Sequence, residues 1–419
     1  MKRSLSLLVL IALSVASACS STVTRRSLPS ASAAGKVPPI IAEETSVLSK
    51  GVIPSSASVV KVALLVPLSG ESLAIGSAML DAATMAMHDS YGNMPSDQIK
   101  ARVILLPKDS GNTPADSVRV TKQAIEQGAK LIVGPLFSQS VTAIAPMAKE
   151  AGVTILSFSN NKAAASDGVY TYGFLPEQQV ERMAEYVYLH HIQRVAVLAP
   201  NDSYGQKVQE ALMQEFSKRG GLVAPSELYA PSPANIDAAV SRLAASYGNV
   251  GEERRFQAIF IADGGYQLKT VIASLKKSNI DLSKVKLLGT GLWDDPELTK
   301  IPEMHGAWFP SAPPGPYQKF EQHFTTVYGY KPIRLASLAY DAMSLVTSLA
   351  MTSPDGSINK AALTDPQGYI GTANSLYRLM PDGTSDRKLC VMEVTPAGFN
   401  VIDPAPKAFE QSVTPVIQP

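Results

Sequence analysis

The stretch KLIVGPLFSQS, residues 130–140, decides how this chain folds. Leu131, Ile132 and Val133 form an unbroken apolar run, Gly134-Pro135 halts it, and Ser138, Gln139 and Ser140 open the next segment. The pattern predicts a short buried strand emptying into a helix whose first turn is rich in hydroxyls. Apolar runs without alternation suit a parallel sheet covered on both faces. Strand-to-helix corners of this kind are where open α/β folds hold ligands, because unpaired backbone N–H groups and the positive helix end converge there.

Outward from that corner the same unit repeats. KVALLV (61–66), ARVILL (101–106) and VTIL (153–156) read as further strands, and residues 73–91 and 114–127 as helices between them. The second helix begins with Pro114 and stops before Gly128, the usual start and stop signals. A second series opens with a helix at 177–191, the strand RVAVLA (194–199), a helix at 204–219, then AIFIADGG (258–265) and VKLLGTG (285–291). Helices return at 317–328 and 334–350. The tail GYIGTANSLYRLMPDGTSDRKLCVMEV offers two strands joined by the turn signal PDGTSD. The fold class is therefore α/β, with two doubly wound parallel-sheet lobes.

The first 21 residues, MKRSLSLLVLIALSVASACSS, combine a basic start, an apolar run from Leu5 to Ala16 and small residues before Cys19. This reads as a secretory signal whose apolar run is too short to span a bilayer. Ala16-Ser17-Ala18 satisfies general signal peptidase and also resembles a bacterial lipobox, so residues 1–18 are the leader on either reading. Acylation of Cys19 would give stable anchoring through more than one lipid chain. Ser20 after the cysteine suggests the outer membrane by resemblance to sorted lipoproteins. Residues 19–59 then form a Ser-, Ala- and Pro-rich tether, reaching at most about 130–140 Å extended and roughly 35 Å as coil.

Lys and Arg number 37 against 36 Asp and Glu; without Lys2 and Arg3 the count becomes 35 against 36. No basic stripe invites nucleic acid. With Cys19 committed to lipid, Cys390 stands alone, so no intrachain disulfide is expected, and its apolar surroundings make it a small buried hydrophobe. Neither HExxH, CxxC nor GxSxG occurs, and the five histidines are scattered. No cofactor, metal site or enzymatic activity is expected. Glu252 to Arg255, EERR, reads as a solvated, locally compensated turn.

The segments VALLVPLSG, LIVGPLFSQSV, YGFLPEQQVERMAEY, SYGQKVQEALMQEFSKRGG and GYIGTANSLYRL…DRKLCVMEV, in that order over about residues 60–402, resemble the type I periplasmic-binding-protein fold (leucine-binding-protein-like) and, within it, the penicillin-binding-protein activator lipoproteins. The resemblance implies two lobes joined by a three-strand hinge, with crossings near 172–175, 309–314 and 368–371. Lobe 1 would comprise 60–174 plus 311–368, lobe 2 175–310 plus 369–403, and 404–419 a C-terminal tail. The family's type members carry an additional helical-repeat domain between anchor and binding domain, where this chain has only the tether.

In amino-acid-binding members of that fold, first-lobe hydroxyls and N–H groups receive the ligand carboxylate and a second-lobe acid receives the ammonium. The matching positions here are Ser138, Ser157, Ser159 and Asn160, with Ser69 on a third loop of the same edge. Helix capping by the same side chains is the competing reading. The second lobe offers Tyr204, Asp263 and the loop GTGLWDD, whose Trp293 would stack on a ligand or pack on its own lobe. The nearest aligned residue to the family acid is Gly291, and Asp294 follows three residues later. The resemblance thus implies a non-enzymatic regulator at the periplasmic face of the outer membrane of a Gram-negative cell, bound to a class A penicillin-binding protein and promoting peptidoglycan synthesis. The aromatic, Pro-rich segment FPSAPPGPYQKF (309–320) is its candidate exposed docking surface, or else a hinge linker. The alternative is a solute-binding lipoprotein of an ABC transporter, closing on an amino acid or similar small molecule in the interlobe cleft.

Overall fold

A computed structural model of the chain describes residues 58–409 except 93–94, 96–97, 248–254 and 354. The leader, Cys19 and nearly all of the tether lie outside the described residues, as do residues 252–254 of the EERR turn and the tail beyond 409.

The first lobe grows from β1 (Ser58–Val66), whose last five residues are fully buried. It is followed by α1 (Leu73–Gly92), β2 (Ala101–Asp109), α2 (Pro114–Glu126), β3 (Leu131–Val133), α3 (Ser138–Glu150), β4 (Thr154–Ser157) and β5 (Val169–Thr171). All five strands run parallel in the order β2-β1-β3-β4-β5. Unalternated apolar strands demand cover on both faces, and they have it. Ile132, Ile155, Val120 and Ile144 pack in one core beneath α2 and α3, while Leu64, Leu131 and Leu156 pack in another beneath α1. Thr113 caps α2 by accepting the Asp116 N–H at 3.2 Å.

The second lobe repeats the plan with α4 (Pro176–Leu189), β6 (Arg194–Pro200), α5 (Ser203–Lys218), β7 (Leu222–Tyr229), α6 (Pro233–Ala245), β8 (Ala258–Ile261), α7 (Gly265–Lys277), β9 (Lys286–Gly289) and β10 (Trp308–Ser311). Its order β7-β6-β8-β9-β10 repeats that of the first lobe. The short β5 and β10 and the half-exposed β7 add to the strands expected from sequence, because three or four residues, or a strand broken by Pro225, give little periodicity. After β10 the chain returns to the first lobe as α8 (Pro314–Tyr328) and α9 (Ala336–Thr352). Alanines on α1 (Ala78, Ala82, Ala86) and on α9 (Ala339, Ala342, Ala350) let these two helices pack closely over the first sheet.

Two expectations are corrected. The third crossing does not fall at 368–371: β11 (Tyr369–Gly371), β12 (Ser375–Leu379) and β13 (Ser385–Arg387) form a small antiparallel sheet that stays on the first lobe. Ala373, Tyr377 and Leu379 belong to the first lobe's core, and Asp341 of α9 accepts the Ala373 and Asn374 N–H groups at 2.8 and 2.9 Å. The chain crosses only after Arg387, entering β14 (Cys390–Thr395) and β15 (Gly398–Asp403), which extend the second sheet as antiparallel strands. The turn PDGTSD does join β12 to β13, but RKLCVMEV is divided between two sheets. Second, 309–320 is not an exposed aromatic surface. Phe309 lies in β10 against the Phe399 ring, 5.1 Å between centroids, and Phe320 is in the first lobe's core. Beyond β15 the chain runs back to the small sheet, where Phe409 is buried beneath Arg378.

Candidate functional site

Between the lobes lies a cleft of about 570 Å³, lined by the loops after β3, β4 and β5 on one side and after β6, β9 and β10 on the other. Those are the carboxyl ends of the strands in both sheets, where the reversal of strand order opens a crevice. The volume is that of a small-molecule site. Leu136, Phe137, Phe158 and Phe174 give the first-lobe wall an apolar character. The corner that holds Leu136 and Phe137 depends on Gly134, whose φ is +98° and where a Cβ would come within 2.2 Å of the Leu65 carbonyl oxygen.

Of the first-lobe candidates, only Asn160 lines the cleft. Ser157 is fully buried and donates to the Tyr170 carbonyl at 3.0 Å. Ser159 accepts the Asn161 N–H at 3.1 Å and shapes its own turn. Ser138 is the first residue of α3, and its carbonyl accepts from Thr142 Oγ1 at 3.1 Å. Ser69 serves Asp109: burial disfavours that carboxylate, but hydrogen bonds from Ser69 and from the Gly111 and Leu68 N–H groups hold its pKa below the ordinary value.

The second-lobe candidates divide likewise. Tyr204 and Asp294 line the cleft. Tyr204 donates to Thr290 Oγ1 at 2.9 Å, and burial pushes its pKa up to about 12. Asp263 accepts from the Tyr229 hydroxyl at 2.8 Å, with burial raising its pKa, and lies outside the cleft lining. Trp293 is fully buried and donates from Nε1 to the Asp263 carbonyl at 3.0 Å, so it packs on its own lobe. Gln179 accepts the Gly291 N–H at 2.7 Å. Asp294 accepts from Ser311 Oγ at 3.0 Å and lies 3.6 Å from Nε of Arg334, an ion pair across the cleft between the lobes.

Two cleft residues escape a reading of the sequence alone. Arg334 precedes α9 and its guanidinium lies over the Tyr317 ring at 4.0 Å and the Phe174 ring at 5.6 Å. Arg387, only 5% exposed, ends β13 and lies over Tyr172, Tyr377 and Phe174 at 4.2, 5.1 and 5.3 Å. The available signal is Arg387 itself, a charged residue with Ser385 and Leu389 two places to either side at inward-facing positions. Cys390 is buried, donates to the Ser311 carbonyl at 3.1 Å, and has its thiol pKa pushed up to about 11 by burial. Among the described residues, no cluster of His, Cys, Asp or Glu could hold a metal, and no helix is long and apolar enough to cross a membrane.

Two lobes with matching parallel sheets, joined by three crossings over a ligand-sized cleft, define a two-lobed α/β binding protein. The chain belongs to the periplasmic binding protein family, whose profile matches residues 59–398. By sequence it is similar to the uncharacterized protein RP748 of Rickettsia prowazekii, 24% identical over 55% of this chain and 60% of that one. It is also similar to the penicillin-binding protein activator LpoA of Mannheimia succiniciproducens, 28% identical over 52% of this chain and 35% of that one. The chain thus spans less than two thirds of the length of each of these relatives. Among solved structures, a putative branched-chain amino acid ABC transporter protein from Rhodospirillum rubrum superposes with a TM-score of 0.69 at 18% identity, covering 83% of this chain and all of that one.

Proposed function

We propose that this protein is a non-enzymatic envelope lipoprotein, held at the outer membrane through Cys19, that binds and activates a class A penicillin-binding protein and so promotes peptidoglycan synthesis. The observation that carries this reading is the state of Asp294. It is the only acid among the described cleft-lining residues, and Arg334 and Ser311 already engage it. A free amino acid would bring a buried ammonium with no free carboxylate to meet it, costing several kcal/mol. An amino-acid receptor is therefore disfavoured, and the similarity to LpoA supports a protein partner. The test is affinity capture from detergent-solubilised envelopes of the native host, using the full chain with a C-terminal tag, gentle crosslinking and mass spectrometry. Specific recovery of a class A penicillin-binding protein is expected. Recovery of an ABC permease without it would overturn the reading.

The open cleft favours a second reading, a solute-binding lipoprotein of an ABC transporter for a small molecule other than a free amino acid. Capture of the permease would establish that reading.

A further inference from the structure

Three stretches carry the chain between the lobes, and side chains tie each of them to the other two. The first (172–175) leads from β5 to α4, the second (312–313) from β10 to α8, and the third (388–389) from β13 to β14. Arg387, at the entrance to the third, donates from Nη2 to the Tyr172 carbonyl of the first at 2.6 Å. Cys390, at its exit, donates from Sγ at 3.1 Å to the carbonyl of Ser311, which ends β10 where the second begins. First and second are joined through Arg334, whose guanidinium lies over Phe174 of the first crossing at 5.6 Å and over Tyr317 of α8 at 4.0 Å. Its ion partner Asp294, 3.6 Å away, accepts from Ser311 Oγ at 3.0 Å. From the second lobe, Arg182 of α4 donates from Nε to the Leu389 carbonyl at 2.9 Å, and Gln178 donates to the Ser385 carbonyl of β13.

Arg387 is the member of this set that packing alone does not explain. It is buried, and among the described residues no carboxylate lies within 4 Å of it. Holding a cation there costs desolvation, and its Nε and Nη1 have no hydrogen-bond partner. Its surroundings are aromatic: Tyr172 at 4.2 Å, Tyr377 at 5.1 Å and Phe174 at 5.3 Å, all within the range of cation–π attraction. Tyr377 belongs to the small sheet, Tyr172 and Phe174 to the first crossing. One flat group therefore stacks on both segments while donating in its own plane. An apolar side chain of similar length could fill the space but could make neither the stacking nor the bond to Tyr172. Asp341 of α9, held by the Ala373 and Asn374 N–H groups, is near enough for its charge to act on both arginines.

We infer that the three crossings form a braced hinge, with Arg387 positioning the first against the third, so that the lobes keep one angle whether or not the cleft is filled. A receptor that signals by closing needs crossings that turn freely at a few residues. Here a turn about any one crossing strains its contacts with the other two. The lobes then present a single fixed composite face. The brace is a property of the crossings and stands whichever partner the protein binds.

Full-length wild type and Arg387→Met are compared by small-angle scattering and by hydrogen exchange read by mass spectrometry. Wild type is expected to scatter as one lobe arrangement, and the variant to show a broader distribution of lobe separations. Exchange in the variant should rise about tenfold at 172–175 and 386–390 while β1 and β6 exchange as in wild type. Those segments contain the Gly173 and Lys388 N–H groups, held by the Ser159 and Leu376 carbonyls at 3.2 and 3.0 Å. Arg387→Lys keeps the charge but loses the flat stacking group, and gives the same reading should Arg387→Met not fold. Wild-type scattering that requires two lobe arrangements overturns the inference. So does a folded variant whose scattering and crossing exchange match wild type. An exchange increase spread equally over β1 and β6 also overturns it, because Arg387 would then be an ordinary contributor to stability.

Discussion

The strand-end corner and the hinge side of the cleft treat their polar groups in opposite ways. At the corner, Ser157 and Ser159 are engaged with nearby backbone and Ser69 with Asp109. On the hinge side, Arg334 and Arg387 keep buried N–H groups without a hydrogen-bond partner. Short hydroxyl side chains reach only their own turn or a neighbouring strand, so a fold readily uses them for itself. A long guanidinium carries five donors, and a packed site rarely meets them all. The buried donors of the cleft lining that lack a partner thus lie beside Phe174 and not in the loops at the strand ends.

The largest test of that contrast is on the closed side. Trp293→Ala empties the full volume of a buried indole, and chemical denaturation should record a loss of about 3–5 kcal/mol. A loss under about 1 kcal/mol would mean that the second-lobe wall is loose and its groups free to turn toward a ligand. Next comes Asp109, which ties down the loop bearing Ser69. Asp109→Asn should cost about 1–3 kcal/mol at neutral pH. Because hydrogen bonding depresses the folded pKa of Asp109, its contribution is present above the ordinary carboxylate value and is lost as pH falls through the folded value. Urea midpoints of variant and wild type should therefore converge in acid; a gap that persists unchanged in acid would assign Asp109 a purely steric role.

Smaller effects sharpen the hinge side. Asp294→Asn removes a partly exposed ion pair and should change stability by no more than about 1 kcal/mol. Small-angle scattering of that variant should show a wider spread of lobe separations than wild type; an unchanged profile would show that Asp294 and Arg334 do not hold the lobes. Ser138→Ala should lie within about 0.5 kcal/mol of wild type in the same denaturation assay.

Much of this architecture is legible in the residues. The runs at 61–66, 131–133, 153–156 and 194–199 are largely buried on both faces in the folded protein, and that environment is what removes polar alternation from a sequence, whereas 101–106, in the edge strand β2, keeps Arg102 exposed. The tail misleads because β13 and β14 succeed one another with only Lys388 and Leu389 between them, and two residues carry no turn signal. Phe309 and Phe320 mislead because proline-rich sequence suggests exposure, whereas here the prolines lie at the end of a strand and the start of a helix. At the site, the loops singled out from sequence mark the edge of each sheet that opens on the cleft, and of their candidates Asn160, Tyr204 and Asp294 line it while Ser69, Ser138, Ser157, Ser159, Asp263 and Trp293 do not. Arg334 and Arg387 are 53 positions apart in the sequence, and only the return of the chain through α8, α9 and the small sheet brings both against Phe174.

The most direct measurement is affinity capture from detergent-solubilised envelopes of the native host with the full, C-terminally tagged chain. Specific recovery of a class A penicillin-binding protein is the result this account predicts. Recovery of an ABC permease without it would contradict the account.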